Sequence, residues 1–299
     1  MAEIVNHRLR DLGGGVQVRR ILPMPRKEDR FVGPFCFLDH MGPHEFEAGG
    51  RGLADVRPHP HIGLATLTYL FSGEIVHRDG IGSEQSILAG DVNWMVAGSG
   101  ITHSERFERM RKNGGTVHAL QAWVALPEEF EETEPSFMHV DARDLPSFRD
   151  DGIEGRLLAG RAFGLTAPGK PYSPLFYVHL ELDAGARGAI DAPYDERAIY
   201  VVRGEVEIDG KRFEAGQMAV IARNESAAFF APGKCVVVAL GGDTIGPRHM
   251  EWNFVSSRKE RIEQAKADWR AGRIKLPVHD DREFVPLPGD PDVPANPLS

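Results

Sequence analysis

Apolar and polar residues alternate over short runs along most of this chain. Runs such as LATLTYLF and VNWMVA, rich in β-branched and aromatic residues, are punctuated by Gly73-Glu74, Asp79-Gly80 and Gly90-Asp91. Turn signals at that spacing predict consecutive short strands joined as hairpins. The pattern holds from about residue 15 to 130 and returns from about 175 to 240, in YVHLEL, AIYVVRGEVEI, QMAVI and CVVVAL. Between the blocks the chain becomes irregular and acidic (EEFEETEP, DARDLPSFRDD, TAPGKPYSP). We therefore expect a first domain over residues 1–135, a connection over 136–170 with one or two strands of its own, and a second domain over 171–299. One helix is predicted, in SSRKERIEQAKADWRAGR. Ser257 would cap it, Glu260 would complete a capping box, and Ile262, Ala265 and Trp269 would share its apolar face. The Pro-rich end, DDREFVPLPGDPDVPANPLS, reads as an extended, partly mobile tail.

The two strand blocks align as diverged repeats. LFSGEIVHRDG lies over VVRGEVEIDG, pairing Gly73 with Gly204, and ILAGD lies over FEAGQ, pairing Gly90 with Gly216.

Composition narrows the class without naming a chemistry. Thirty-five Lys plus Arg against 44 Asp plus Glu give a net charge of −9 with no basic run, so a direct nucleic-acid footprint is not expected. No segment approaches the roughly 20 apolar residues of a membrane helix, and the N-terminus has no signal-peptide core. Cys36 and Cys235 sit far apart in apolar surroundings and read as buried small hydrophobes. A soluble, cytoplasmic, monomeric protein is expected.

The chemistry lies in two ligand pairs, His59-x-His61 and His103-x-Glu105. Residues i and i+2 of a strand share a face, so each pair aims two donors the same way. Two facing strands could bring all four onto one ion. Three imidazoles and a carboxylate suit a reactive first-row metal better than a structural zinc, which favours a closed thiolate-rich shell. Carried across the repeat, the four positions become Ile190, Ala192, Phe229 and Ala231, so one metal per chain is expected. Around the pairs, Asp39, His40, His118 and Gln121 are candidates to line the cavity or orient a ligand, with Gln121 able to reach Glu105. An ordinary structural role for Asp39 and His40 is equally open. Trp94 and Met95 read as barrel packing, His77 as a surface hairpin residue, and Glu128, Glu129, Glu131, Glu132 and Glu134 as a solvated acidic face.

GPFCFLDHMGP, RPHPHIGLATLTYLFSGE, GDVNWMVAGSGITHSE, HALQAWVALP and WNFVSSRKERIEQAKADW together resemble the pirin family, a bicupin branch of the cupin superfamily. The resemblance implies an all-β fold of two cupin-type antiparallel β-barrels with a short C-terminal helix. It also implies one mononuclear divalent metal in the N-terminal barrel, iron(II) for preference or another first-row ion, held by His59, His61, His103 and Glu105. Ala65 departs from the glutamate that many relatives carry after H-x-H, so a catalytic base must come from Glu105 itself or another cavity residue. Two functions are implied. One is a dioxygenase cleaving flavonols such as quercetin. The other is a metal- and redox-dependent regulatory partner of the transcription machinery or of a metabolic enzyme.

Overall fold

Alternation becomes strand along nearly the whole chain in a computed structural model, which describes residues 2–11, 17–24, 31–50, 55–190, 192–223 and 225–291. The protein is all-β, built as two cupin-type barrels, each from a larger and a smaller antiparallel sheet. In one unit the smaller sheet runs, edge to edge, Val56–His61, Ile101–Arg106, Glu74–Asp79 and Glu84–Leu88. In the other it runs Arg187–Ala189, Ala228–Phe230, Glu205–Ile208 and Lys211–Glu214. The order is the same, as the repeat predicts. Gly73 and Gly204 both take positive φ, at 88° and 80°, each joining a long strand of the larger sheet to one of the smaller. A Cβ on either would lie 2.8 Å from a backbone carbonyl, so the turn demands glycine twice. Gly90 and Gly216 also match, donating to the Leu70 and Val201 carbonyls at 2.7 and 2.8 Å.

The compact units are not sequential halves. One gathers Met1–Leu9, Arg19–Asp39 and Val140–Gly246; the other gathers Arg10–Val18, His40–His139 and Pro247–Ser299. Three expectations are thereby corrected. The 136–170 stretch is no separate connection: Ser136–Val140 extends the sheet holding Val92–Val96, while Ser147–Asp150 and Ile153–Ala162 extend the larger sheet of the second barrel. The N-terminal strand Glu3–Asn6 pairs with Gln217–Ala222 of that second barrel. The C-terminal helix, Lys259–Arg270, belongs with the first. Its predicted apolar face is correct, and Ile262, Ala265 and Trp269 are buried with Ile62, Phe254 and Leu287. No helix among the described residues is long and apolar enough to cross a membrane.

The helix start differs from the capping box. Arg258 occupies the N-cap without a side-chain bond. Ser257 instead donates its amide and hydroxyl to Glu131 at 2.7 and 3.0 Å, and Ser256 donates to it at 2.9 Å. Glu131 is therefore not part of a solvated face; it is buried and paired with Arg248 at 2.8 Å. A buried carboxylate collecting that many donors outcompetes a local cap.

The tail is also tied down as far as it is described. Asp280 accepts from Ser104 at 2.6 Å and from Arg106 through two bonds of 2.6 Å. Val285 donates its amide to the Pro58 carbonyl at 2.8 Å, and Trp269 donates Nε1 to the Val285 carbonyl at 3.0 Å. Positions 292–299 of the expected mobile segment lie outside the described residues.

Candidate metal centre

The site follows from strand periodicity. Along Ile101–Arg106, His103 and Glu105 share one face, while Ser104 and Arg106 project from the other, where Asp280 binds them. His103 stands directly opposite His59 on the neighbouring strand, and Ile101 opposite His61. The register then shifts, so that Glu105 stands opposite Val56. Pro58 lies in that interval and has no N–H for the ladder, a sufficient reason for the irregularity.

His59, His61 and His103 form one group, their ligand atoms all within 4.8 Å of one another, and all three are buried. The Nε2 atoms of His61 and His103 lie 3.1 Å apart. Outward-facing partners fix which nitrogen is bare. His59 Nδ1 meets the Arg57 carbonyl at 2.9 Å and His61 Nδ1 meets the Asn253 carbonyl at 3.2 Å. A carbonyl only accepts, so both Nδ1 atoms carry the proton and both Nε2 lone pairs are free. Electrostatics agrees with neutral rings. Burial lowers His59 to about 4 despite its carbonyl bond, and burial followed by the neighbouring histidines holds His61 and His103 well below the usual range. Metal ligation needs neutral imidazole, so deprotonation is already accomplished.

Glu105 lies outside the three-histidine group. It is buried, and its carboxylate has no hydrogen bond or ion pair among the described residues, so burial raises it to about 7. Three converging imidazole nitrogens, with an unpartnered buried carboxylate on the strand face of His103, are groups that a divalent first-row cation would satisfy.

The surrounding candidates sort differently from expectation. Gln121 accepts from the Thr68 hydroxyl at 2.7 Å and does not bond Glu105. Asp39 forms a two-pronged pair with Arg20 at 2.9 and 2.8 Å. His40 and His118 meet through their Nε2 atoms at 2.6 Å, with rings 4.8 Å apart. Ala65, Trp94 and Met95 are buried. His77 is no surface residue. It is buried, its ring stacks on Phe137 at 4.5 Å, its Nδ1 lies 3.4 Å from His103 Nδ1, and its Nε2 lies 3.0 Å from Asp79 Oδ2. The signal was a third i, i+2 pair of polar residues, His77-x-Asp79, on a strand next to the ligands.

In the second barrel Ile190, Ala192, Phe229 and Ala231 are all buried in its apolar core. The strand pairing refines the repeat alignment: Phe229 stands opposite Gly188, not Ile190. A shift of two residues keeps every side chain on its face, so the apolar character survives it.

Comparison with known proteins agrees with this architecture. Residues 15–124 match the Pirin family model and residues 177–275 match the model of the pirin C-terminal cupin domain. A pirin-like protein of Caulobacter vibrioides is 56% identical over 286 residues, covering 95% of this chain and 98% of its own. A Pseudomonas aeruginosa protein provisionally named quercetin 2,3-dioxygenase is 40% identical over 276 residues, covering 91% of this chain and 84% of its own. Among solved structures, a quercetin 2,3-dioxygenase from Acinetobacter baumannii superposes with a TM-score of 0.83 at 31% identity, covering 100% of this chain and 96% of that one. With two family models and a relative matched almost end to end, the chain belongs to the pirin family.

Proposed function

We propose that this pirin is a cytoplasmic, metal-dependent dioxygenase that opens flavonols such as quercetin. The observation that carries the reading is the convergence of three neutral, buried imidazoles, with the buried, unpartnered carboxylate of Glu105 on the same strand face as His103. His59, His61, His103 and Glu105 would hold one divalent ion, iron(II) for preference. Bound there, such an ion supplies Lewis acidity toward the flavonol 3-hydroxyl and adjacent carbonyl, and redox access to dioxygen.

The chain's own residues do the rest. Glu105 takes the 3-hydroxyl proton. Burial raises it to about 7 in the metal-free protein; a bound cation would lower it again, so its role as base rests on its place beside the bound hydroxyl. With Ala65 where many relatives carry a glutamate, no acid at that position shares the task. The Trp123 ring packs against His61 in a T-shaped contact at 5.0 Å and covers that imidazole. Overall, the heterocycle takes up both atoms of dioxygen and loses one carbon as carbon monoxide. The resemblance to dioxygenases in sequence and fold supports this substrate class.

Oxygen uptake and loss of flavonol absorbance, followed after reconstitution with each of several first-row metals, test the reading. Turnover is expected with the metal-loaded protein, none above background with apoprotein, and collapse in Glu105→Gln even where metal is retained. Absence of turnover on quercetin and related flavonols with every metal would overturn the enzyme reading and favour a regulatory partner protein.

A further inference from the structure

For two of the three histidines the bare nitrogen is dictated by a backbone carbonyl, which no side-chain substitution removes. His103 is the exception. Its Nδ1 faces another histidine, and a histidine nitrogen can donate or accept. What His77 does at Nδ1 depends on what it meets at Nε2, which is Asp79 Oδ2 at 3.0 Å. Asp79 is itself fixed. Its other oxygen, Oδ1, accepts the Ile81 and Ser83 amides at 3.1 and 2.9 Å, closing the hairpin turn and leaving Oδ2 for His77.

The geometry points to Asp79 and His77 as positioning residues that set the tautomer of His103 and so decide whether its Nε2 can bind a metal. The inference rests on the metal reading above. A carboxylate accepts, so a neutral His77 carries its proton on Nε2 and leaves its Nδ1 bare. Bare Nδ1 accepts from His103 Nδ1–H, and His103 Nε2 is left with its lone pair, 3.1 Å from His61 Nε2. Strand periodicity builds the relay. His77 and Asp79 share a face of Glu74–Asp79, and Asp79 stands opposite His103 on the adjacent strand. Phe137, stacked on His77, holds the ring in the plane the relay needs. Metal-bound histidines generally depend on such partners, whose loss costs roughly 10–100-fold in affinity.

Asp79→Asn is the discriminating change because it keeps the shape and reverses the proton order. The amide oxygen must still accept from Ile81 and Ser83, so the NH2 faces His77 and donates to its Nε2. His77 then protonates Nδ1 and donates to His103, whose own proton moves to Nε2, where the metal would sit.

The experiment is competition of cobalt(II) against a chromogenic chelator for wild type, Asp79→Asn, His77→Phe and the double variant, with apoprotein melting as a check on folding. Asp79→Asn is expected to lose roughly 10–100-fold in cobalt affinity. The double variant is expected to bind as His77→Phe does, because without His77 the identity of residue 79 no longer reaches His103. In NMR spectra of the cobalt(II)-loaded protein, three hyperfine-shifted exchangeable N–H signals are expected for wild type, with one lost or displaced in His77→Phe. Wild-type cobalt affinity in Asp79→Asn would overturn the relay. So would an equal loss from Asp79→Asn with and without His77, which would mark Asp79 as a turn residue only. Should Asp79→Asn fail to fold, His77→Gln decides. Its carbonyl can accept from His103 Nδ1, so it must bind cobalt more tightly than His77→Phe, and equal affinities overturn the relay. Full metal retention in His103→Ala would instead sink the metal reading itself, independently of these outcomes.

Discussion

The two small sheets are built alike and diverge along one row of side chains. In the first barrel the row across three neighbouring strands is His59, His103 and Asp79; in the second it is Gly188, Phe229 and Ile208. The backbone pairing is the same antiparallel ladder. In the first row each position carries a nitrogen or oxygen donor, with protons directed outward by partners behind. In the second, Phe229 fills the space, and a Cβ on Gly188 would come within 2.7 Å of its ring. The comparison teaches that a cupin-type sheet does not need a metal to hold its shape. The second barrel fills the same position with one aromatic ring, whereas the first gathers buried imidazole nitrogens that a cation would satisfy.

The sharpest way to break the comparison is to remove a ligand. His61→Ala and His103→Ala are expected to leave metal content near background by elemental analysis, while the wild-type chain titrates to a single ion. Two tight, equivalent sites per chain would mean that the apolar row had been misread.

The reciprocal change should cost stability and leave metal alone. Phe229→Ala opens a cavity in the second core and is expected to destabilise that unit by about 3–5 kcal/mol in denaturant titrations, with metal stoichiometry unchanged. A variant that lost metal in proportion to stability would refute the independence of the two rows.

Asp280→Ala tests what holds the first row from behind. It strips Arg106 of its closest partner, and about 2–3 kcal/mol of the first unit's stability should go, less than a fully isolated buried pair because Asp55 and Glu283 also reach Arg106. Burial opposes ionisation of Asp280, but Arg106 and Ser104 outweigh it and hold the carboxyl below its usual range. A depressed acid contributes fully above its unfolded pKa of about 3.9, and the contribution is lost as pH falls through the lower folded value. Acid melts should therefore show the wild-type advantage over Asp280→Ala shrinking below about pH 4. A constant gap across that window would contradict the linkage.

Smallest of all is Glu260→Ala. It would matter if a capping box were present, but Ser257 is held by Glu131, so a change under about 0.5 kcal/mol is expected in thermal melts.

Much of this was legible in the residues, and the failures share a cause. Period-two spacing exposes His59-x-His61 and His103-x-Glu105 because strand geometry is local. The repeat is legible because Gly73, Gly204, Gly90 and Gly216 answer local demands of turns. What escaped depends on residues far apart in the chain. The Asn253 carbonyl that orients His61 is backbone and leaves no side-chain signature. Glu131 resembles its acidic neighbours until Arg248, Ser256 and Ser257 arrive from the other end of the chain. Asp280 sits in a Pro-rich stretch whose composition says tail. The hairpin pattern around His77 reads as exposed, although its i, i+2 relation to Asp79 obeys the same rule that exposes the ligands.

The strap of Asp280, Val285 and the Asn253 carbonyl has a consequence for biosynthesis. All three ligand histidines leave the ribosome about 150 residues or more before the groups that brace Ser104, Pro58 and His61. At about 5–20 residues per second, the nascent site waits on the order of ten seconds to half a minute for its supports. A nascent chain that stops before Asn253 would carry the imidazoles without the braces that orient them.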